Sequence, residues 1–398
     1  MRISDVVVYE VTGRYAGPEF PPGDRQAKQA DVYPEFNRQE APAAPVAGQR
    51  VTAFYVEVQT DEGVNGLYGP IYEQQAYFIL YELRPILLGQ DALATEQRND
   101  QMLRLDRHGR SGAQITASSA VDCSLWDLKG KAWGKPVYRL LGGPTRERVP
   151  AYASMLGFSL EPEAAAALAA EYRDMGYSAQ KWFFRYGPGD GDAGMAKNLA
   201  MAQAVRETVG PDYTLMFDAF MGWSTSYALE MAQRLAPLRP LWLEEPIPPE
   251  RVGALRKIRE RGGVAVATGE HVYTRWQTKE LLVQEAVDFL QNDPDWTGGI
   301  SELVKVCALA SAFEVPVVAH GHSLLPALHN AAAQSPTTVP YVEYLIRNQE
   351  VKQCLQKTVY RPEKGTIAVP GAPGLGIELD MDKIERMEPV SIGVARSG

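Results

Sequence analysis

The sequence predicts an α/β fold, a (β/α)8-type (TIM-like) barrel with a discontinuous α+β capping domain. Three observations predict it. From about residue 149, short apolar runs alternate with helical patterns eight times, as a closed parallel barrel requires. Five consecutive runs finish in a polar side chain: TLMFD at Asp218, PLWLEE with Glu244, VAVATGE at Glu270, VDFLQND at Asp293 and VPVVAH at His320. Their intervals are 26, 26, 23 and 27 residues (244−218, 270−244, 293−270, 320−293), each room for one buried strand, one helix and two short loops. The flanking chain has a different texture, so the domains divide as 1–140 plus 365–398 for the cap and 141–364 for the barrel.

Taken in order, residues 1–10 and VTAFYVEVQTDEG (51–63) alternate as strands, the second closing on an acidic glycine turn. Between them, residues 13–49 are rich in Pro, Gly and Ala and too long for a hairpin loop. Tyr15, Phe20, Tyr33 and Phe36 give this stretch aromatic weight, which favours a lid over a mobile surface loop or an oligomer contact. Residues 74–88 and 94–106 read as helices, and LYGPIYEQQ after Gly66 as a specificity loop. SSAVDCSLWDLKGKAWG (118–134) spaces Val121, Leu125, Leu128 and Trp133 helically and stops at PVYRLLGGP. In the barrel, YASML is the first strand, AQKWFF (179–184) the second and VPYVEYL (339–345) the eighth. TIAVPGAPGLGIELD (366–380) is turn-rich and extended, and is expected to return to the first domain.

Composition bounds the function. The chain has 398 residues, 45% hydrophobic and 22% charged, with net charge −9, room for about two domains and a large core. No stretch concentrates Lys and Arg, which argues against nucleic acid or an anionic membrane as partner, although a bound metal can still attract an anionic small molecule. Cys123, Cys307 and Cys354 are far apart and form neither a disulfide framework nor a zinc pattern, which fits a reducing cytoplasm. MRISDVVVYE does not read as a signal peptide, and no apolar run is long enough to span a bilayer.

Strands sharing a barrel would put all five polar residues at its C-terminal mouth. Three acids there cannot all stay ionised in a partly buried cleft without a cation, and oxygen-only ligands select a hard ion, Mg²⁺ first. An Asp one strand before a His can fix the imidazole tautomer and raise its basicity. Metal plus His–Asp pair equips a site to take a proton from carbon next to a carboxylate. The alternative for each acid is a helix N-cap or a solvated strand end. Gly189, Gly191 and Gly194 also fit G-x-G-x-x-G after a strand. Asp190 and Asp192 inside that loop would repel a pyrophosphate, so a dinucleotide site is disfavoured.

The paired domains, SAVDCSLWDLKGKAWGKPVYRLLGG, the strand-end order Asp–Glu–Glu–Asp–His and the closing PGLGIELD together resemble the enolase superfamily, mandelate racemase subgroup. DAFMGW (218–223), GEHVYTRW (269–276) and HG at 320–321 look most like the L-rhamnonate dehydratases and related acid-sugar dehydratases. The resemblance implies that Asp218, Glu244 and Glu270 hold Mg²⁺, with Glu245 a supporting acid. It implies that His320 is the general base, Asp293 its partner, and Glu343 an acid on the substrate carboxylate that must be protonated or strongly paired. The subgroup often has Lys-x-Lys on the second strand, and here it reads Lys181-Trp182-Phe183. Racemisation needs a base on each face of the substrate, and Phe cannot move a proton. One base suits syn β-elimination of water from an aldonate, the enediolate being stabilised by Mg²⁺ and the product a 2-keto-3-deoxy acid.

Lys181, Arg185, His271 and Tyr33 are candidate substrate contacts, each with a structural or solvated alternative. His271 points away from Glu270 if strand alternation holds. His322 stays open as a separate acid, while His108 and His329 read as structural. The resemblance implies a homo-oligomer, dimer or octamer. An isomerase of a carboxylate substrate and a non-catalytic ligand-binding barrel are the competing readings.

Overall fold

The computed structural model describes residues 1–391 except 39 and 42. Its strands, in chain order, are β1 (Ile3–Arg14), β2 (Arg50–Thr60), β3 (Gly66–Ile71), β4 (Arg148–Ser154), β5 (Ala179–Phe183), β6 (Thr214–Asp218), β7 (Leu243–Glu244), β8 (Val266–Thr268), β9 (Phe289–Leu290), β10 (Val342–Leu345), β11 (Thr366–Ala368) and β12 (Ile384–Pro389). One sheet is antiparallel in the order β12-β1-β2-β3. The other is parallel along β10-β4-β5-β6-β7-β8-β9, with β11 antiparallel to β4. The run VPVVAH closes the circle with little regular pairing. Val318 N–H donates to Leu290 O at 2.7 Å, and Val317 N–H donates to Thr338 O at 2.7 Å, just ahead of β10. A helix follows each of the eight runs, from Pro162–Asp174 to Ile346–Lys352. The structure is thus a (β/α)8-type barrel with an α+β cap.

Alternation along the barrel strands explains where the polar residues go. The barrel is plugged by Tyr152, Ala179, Met216, Trp242, Ala267 and Val318, all buried together. Successive side chains alternate faces, so position i+2 returns to the interior one layer nearer the mouth. From that plug the rule leads to Ser154, Lys181, Asp218, Glu244 and His320, and from Tyr341 to Glu343. A polar layer therefore sits directly on an apolar one.

The cap packs β1–β3 against the helix Gly112–Ala132, which begins six residues before the expected 118 (118−112) and is buried nearly all round. Asp127 on that helix is fully buried, accepts from Leu67 N–H and Leu375 N–H at 2.8 Å each, and pairs with Lys131 at 2.6 Å. It ties β3, the helix and the returning chain together.

One expectation is corrected here. The stretch after Gly66, read as a loop, contains strand β3. Pro70 disguised it, and Pro is tolerated because β3 is an edge strand. Within 366–380, β11 pairs with barrel strand β4, while Leu375, Ile377 and Leu379 pack into the cap core; the strand that joins the first sheet is β12. β12 reads IERMEP, a half-exposed edge too charged to advertise itself as a strand. Residues 392–398 of the expected cap segment lie outside the described residues. None of the helices among the described residues is long and apolar enough to cross a membrane, and all three cysteines are free and buried.

The 13–49 stretch lies against the barrel mouth. Asp24 N–H donates to Phe158 O, Ala27 N–H donates to Phe184 O, and Asp24 Oδ2 accepts from Leu160 N–H. A buried Arg25–Asp31 ion pair at 2.8 Å organises its short helical turns at Gln29–Val32 and Pro34–Asn37.

Candidate active site

At the barrel mouth, the fully buried Lys181 ammonium meets three carboxylates: Glu244, Glu343 at 2.8 Å and Asp218 at 3.3 Å. Trp242 Nε1–H donates to Glu244 Oε2 at 2.9 Å. Burial pushes the Asp218 carboxyl up to about 6 and Glu244 well above the usual range, with Lys181 pulling both the other way. Glu343 behaves differently. Burial alone would raise it, but Lys181 and His320 hold it at about 2, and its Oε2 accepts from Gly321 N–H at 2.7 Å. Of the two states the sequence left open for Glu343, this is the strongly paired one, ionised rather than protonated.

On the other side, His320 Nδ1 lies 3.0 Å from Asp293 Oδ2, and its Nε2 lies 3.5 Å from Glu270 Oε2. Burial disfavours the imidazolium, but Glu270, Asp293 and Glu343 outweigh it and raise His320 to about 10. Glu270 is pushed up to about 7 by burial, against the pull of His320. His271 does not point away as strict alternation predicts. Gly269, at φ +143°, kinks the chain after β8, and an added Cβ there would lie 2.6 Å from Gln291 N. Glu245, at φ +37°, leaves the alternation after β7. His271 Nδ1 thereby meets both Glu245 oxygens at 3.0–3.1 Å and Glu270 Oε1 at 3.3 Å. Burial would lower its pKa, but Glu245 raises it to about 9.

Trp296 was missed by the sequence reading and is central. Its ring packs against His320 (4.9 Å between centroids), His322 (5.1 Å) and His271 (5.5 Å). His322, left open as a separate acid, has partners that were missed: its Nδ1 is 2.5 Å from Asp295 Oδ2, and Tyr68 of the cap donates its hydroxyl to Asp295. The signal was present, since Asp293-x-Asp295 and His320-x-His322 are doublets at strand-face spacing.

Two candidate substrate contacts are placed elsewhere. Arg185 donates to Asn37 Oδ1 at 3.0 Å and Asn37 O at 2.6 Å, and lies 3.8 Å from Asp31. It clasps the 13–49 stretch instead of reaching the acids, because the strand has ended at Phe183. Tyr33 is 58% exposed and edge-on to Phe36, away from the cluster. The glycine-rich segment at 189–194 runs into the helix Gly191–Val209 and is a docking point, where Asn37 Nδ2–H donates to Asp190 Oδ1 at 3.0 Å.

Five carboxylates (Asp218, Glu244, Glu245, Glu270, Glu343) converge on one lysine and two histidines. A hard divalent cation fits that donor set: it is all oxygen apart from imidazole, and more acidic than one ammonium can balance. The Tyr152 hydroxyl and the Gln291 side-chain amide, both fully buried, have no hydrogen-bond partner among the described residues, so the barrel interior has unmet polar demand. Among the described residues, the three donors within 4.8 Å of one another are Glu245, Glu270 and His271, sharing only Glu270 with the expected Asp218–Glu244–Glu270 set. Lys181 draws Asp218 and Glu244 to one side, and the histidines draw Glu270 to the other. Four non-glycine residues at positive φ (Phe220, Met221, Glu245, Thr274) follow these acids closely, the kind of backbone strain that gathers at functional sites.

Comparison with known proteins agrees with this geometry. Residues 164–383 match the family model "Enolase C-terminal domain-like", and residues 34–142 match "Mandelate racemase / muconate lactonizing enzyme, N-terminal domain". An L-rhamnonate dehydratase of Saccharopolyspora erythraea is 32% identical over 370 residues, 90% of each chain. The solved rhamnonate dehydratase of Gibberella zeae complexed with Mg aligns with a TM-score of 0.80 at 27% identity, covering 96% of both chains. A racemase of Streptomyces coelicolor with bound magnesium aligns with a TM-score of 0.78 at 26% identity, covering 96% of this chain and 98% of that one. With this barrel, this cap and this ring of strand-end acids, the chain belongs to the mandelate racemase / muconate lactonizing enzyme family of the enolase superfamily.

Proposed function

We propose that this enzyme is a Mg²⁺-dependent dehydratase of an acid sugar, an aldonate such as L-rhamnonate or a related sugar acid. The observation that carries the reading is the His320–Asp293 pair at 3.0 Å, its Nε2 turned toward the acid cluster, with Phe183 where a second base would stand. Asp218, Glu244 and Glu270 would hold the ion. When bound, Mg²⁺ supplies stabilisation for the charge that develops on the substrate carboxylate as the α-proton leaves. Without a cation, Glu270 and its neighbours hold His320 protonated; an ion on Glu270 would offset that charge and free Nε2, while Asp293 keeps the remaining proton on Nδ1, so Nε2 would be the basic edge. His320 Nε2 takes the α-proton and returns it to the departing β-hydroxyl on the same face. Water leaves, and the enol product ketonises to a 2-keto-3-deoxy acid. Lys181, paired with Glu343 and Glu244, contributes a fixed positive charge near the carboxylate end of the substrate.

Lys181 also bears on the competing isomerase reading. An ammonium held by three carboxylates does not release its proton readily, so it makes a poor second base. A panel of aldonates incubated with purified enzyme and Mg²⁺, read by semicarbazide for 2-keto-3-deoxy product, tests the proposal. Product from at least one aldonate is expected. No product from any, with Mg²⁺ shown to bind, would overturn it.

A further inference from the structure

The second histidine pair has a feature that its structural contacts do not use up. Two aromatic rings pack against His322, Trp296 of the barrel at 5.1 Å and Tyr72 of the cap at 5.0 Å. Its backbone carbonyl accepts from the half-buried Lys352, whose ammonium lies 2.7 Å away. Its Nδ1 edge is held by Asp295, which is itself 5% exposed and braced by the Tyr68 hydroxyl. Tyr68 in turn meets Ser323 Oγ at 2.6 Å. The Nε2 edge has no partner among the described residues. An imidazole packed by two aromatic rings, about a tenth exposed and fixed at one edge, with the other edge left open, is built to meet a guest.

Its chemistry follows from those contacts. Burial, reinforced by Lys352, lowers the His322 pKa, while the hydrogen bond from His322 helps keep Asp295 ionised despite its own burial. The ring is therefore neutral at neutral pH, its proton sits on Nδ1 facing Asp295, and Nε2 presents a lone pair. The ring lies nearly parallel to that of His320, 16° between planes and 6.4 Å between centroids. Two near-parallel imidazoles at that spacing can meet groups a few carbons apart on one substrate chain.

We propose that His322 Nε2 accepts a hydrogen bond from a substrate hydroxyl on a carbon near the one whose proton His320 takes, so that a polyhydroxylated acid is selected over a simple 2-hydroxy acid. This deepens, and rests on, the acid-sugar reading above. It makes His322 a specificity-determining residue, with Asp295 and Tyr68 positioning it. A hydroxyl-binding group of this kind discriminates strongly, because an analogue lacking the hydroxyl leaves it buried and unpaired.

The test is calorimetric binding to the full-length, Mg²⁺-loaded His320→Asn protein, in which turnover is blocked. The probes are L-rhamnonate and its 3-deoxy and 4-deoxy analogues. One deoxy analogue is expected to bind about 10- to 100-fold more weakly than L-rhamnonate. Adding His322→Leu should remove that gap, and His322→Gln, which keeps an acceptor, should restore part of it. Equal binding of all three probes to the His320→Asn protein would overturn the inference, and this arm leaves His322 and its packing unchanged. A gap that survives His322→Leu would also overturn it. Failure of the dehydratase reading looks different: no keto-acid product from any aldonate, whatever the binding pattern.

Discussion

Asp293 and Lys181 do different work on the same acid cluster, and substitutions separate them. Asp293→Asn keeps the shape but lets the wrong His320 tautomer in. Product formation should fall by about 10²- to 10⁴-fold, with kcat affected more than KM, in steady-state assays. Lys181→Met leaves Glu244, Glu343 and Asp218 buried without their ammonium, and should cost about 3–5 kcal/mol in chemical denaturation without metal. Excess Mg²⁺ should return part of that loss, because it supplies the missing positive charge. The residues that a sequence can announce are those at the ends of apolar strands. Asp218, Glu244, Glu270, Asp293 and His320 were legible for that reason. Trp296 and Tyr68 were not, because one follows a strand and the other lies on a Pro-containing edge strand of the cap. The direction of His271 was misjudged because period-2 alternation stops at Gly269.

Loops and helices set how the cap meets the barrel. Asn37 joins the 13–49 stretch to Arg185 and Asp190. Asn37→Ala should raise KM and speed limited proteolysis within residues 29–48 several-fold, while the melting temperature moves little. His329 fastens the helix Leu324–Ala333 to its neighbours. Its Nδ1 accepts from Tyr138 N–H at 3.2 Å and its Nε2–H donates to Leu375 O at 3.1 Å. Burial lowers its pKa from 6.5 to about 4. The unfolded chain therefore binds a proton between those values that the folded chain refuses. The His329 contribution is fully present above pH 6.5 and falls by about 3 kcal/mol as pH drops toward 4. Denaturation of wild type and His329→Gln at pH 7.5 and 5 checks this: the wild type should lose more stability on acidification than the variant. At this scale the long helices and the eight βα units were readable from periodicity. β3 and β12 were not, because Pro70 and a row of charges hide edge strands.

The whole molecule is a barrel whose mouth carries more acid than its own cations neutralise, closed by a cap that contributes Tyr68 and Tyr72 to the site. Anything that binds only this folded arrangement stabilises it by mass action. Mg²⁺ at about 100 times its Kd should add about 2.7 kcal/mol and raise Tm, and chelation should reverse the gain. The barrel strands and the central pair of the cap sheet, β1 and β2, follow from where apolar runs fall along the chain. The relation between them was harder to see, because the returning chain lays β11 on the barrel before Leu375, Ile377 and Leu379 enter the cap core. The central claim is that His320 takes a proton from the carbon beside a carboxylate, and NMR in deuterated water reads it directly. With Mg²⁺ and an aldonate, the wild-type enzyme should form keto-acid product or exchange the α-proton, and His320→Asn should do neither. Product or exchange at wild-type rate in His320→Asn would contradict the claim.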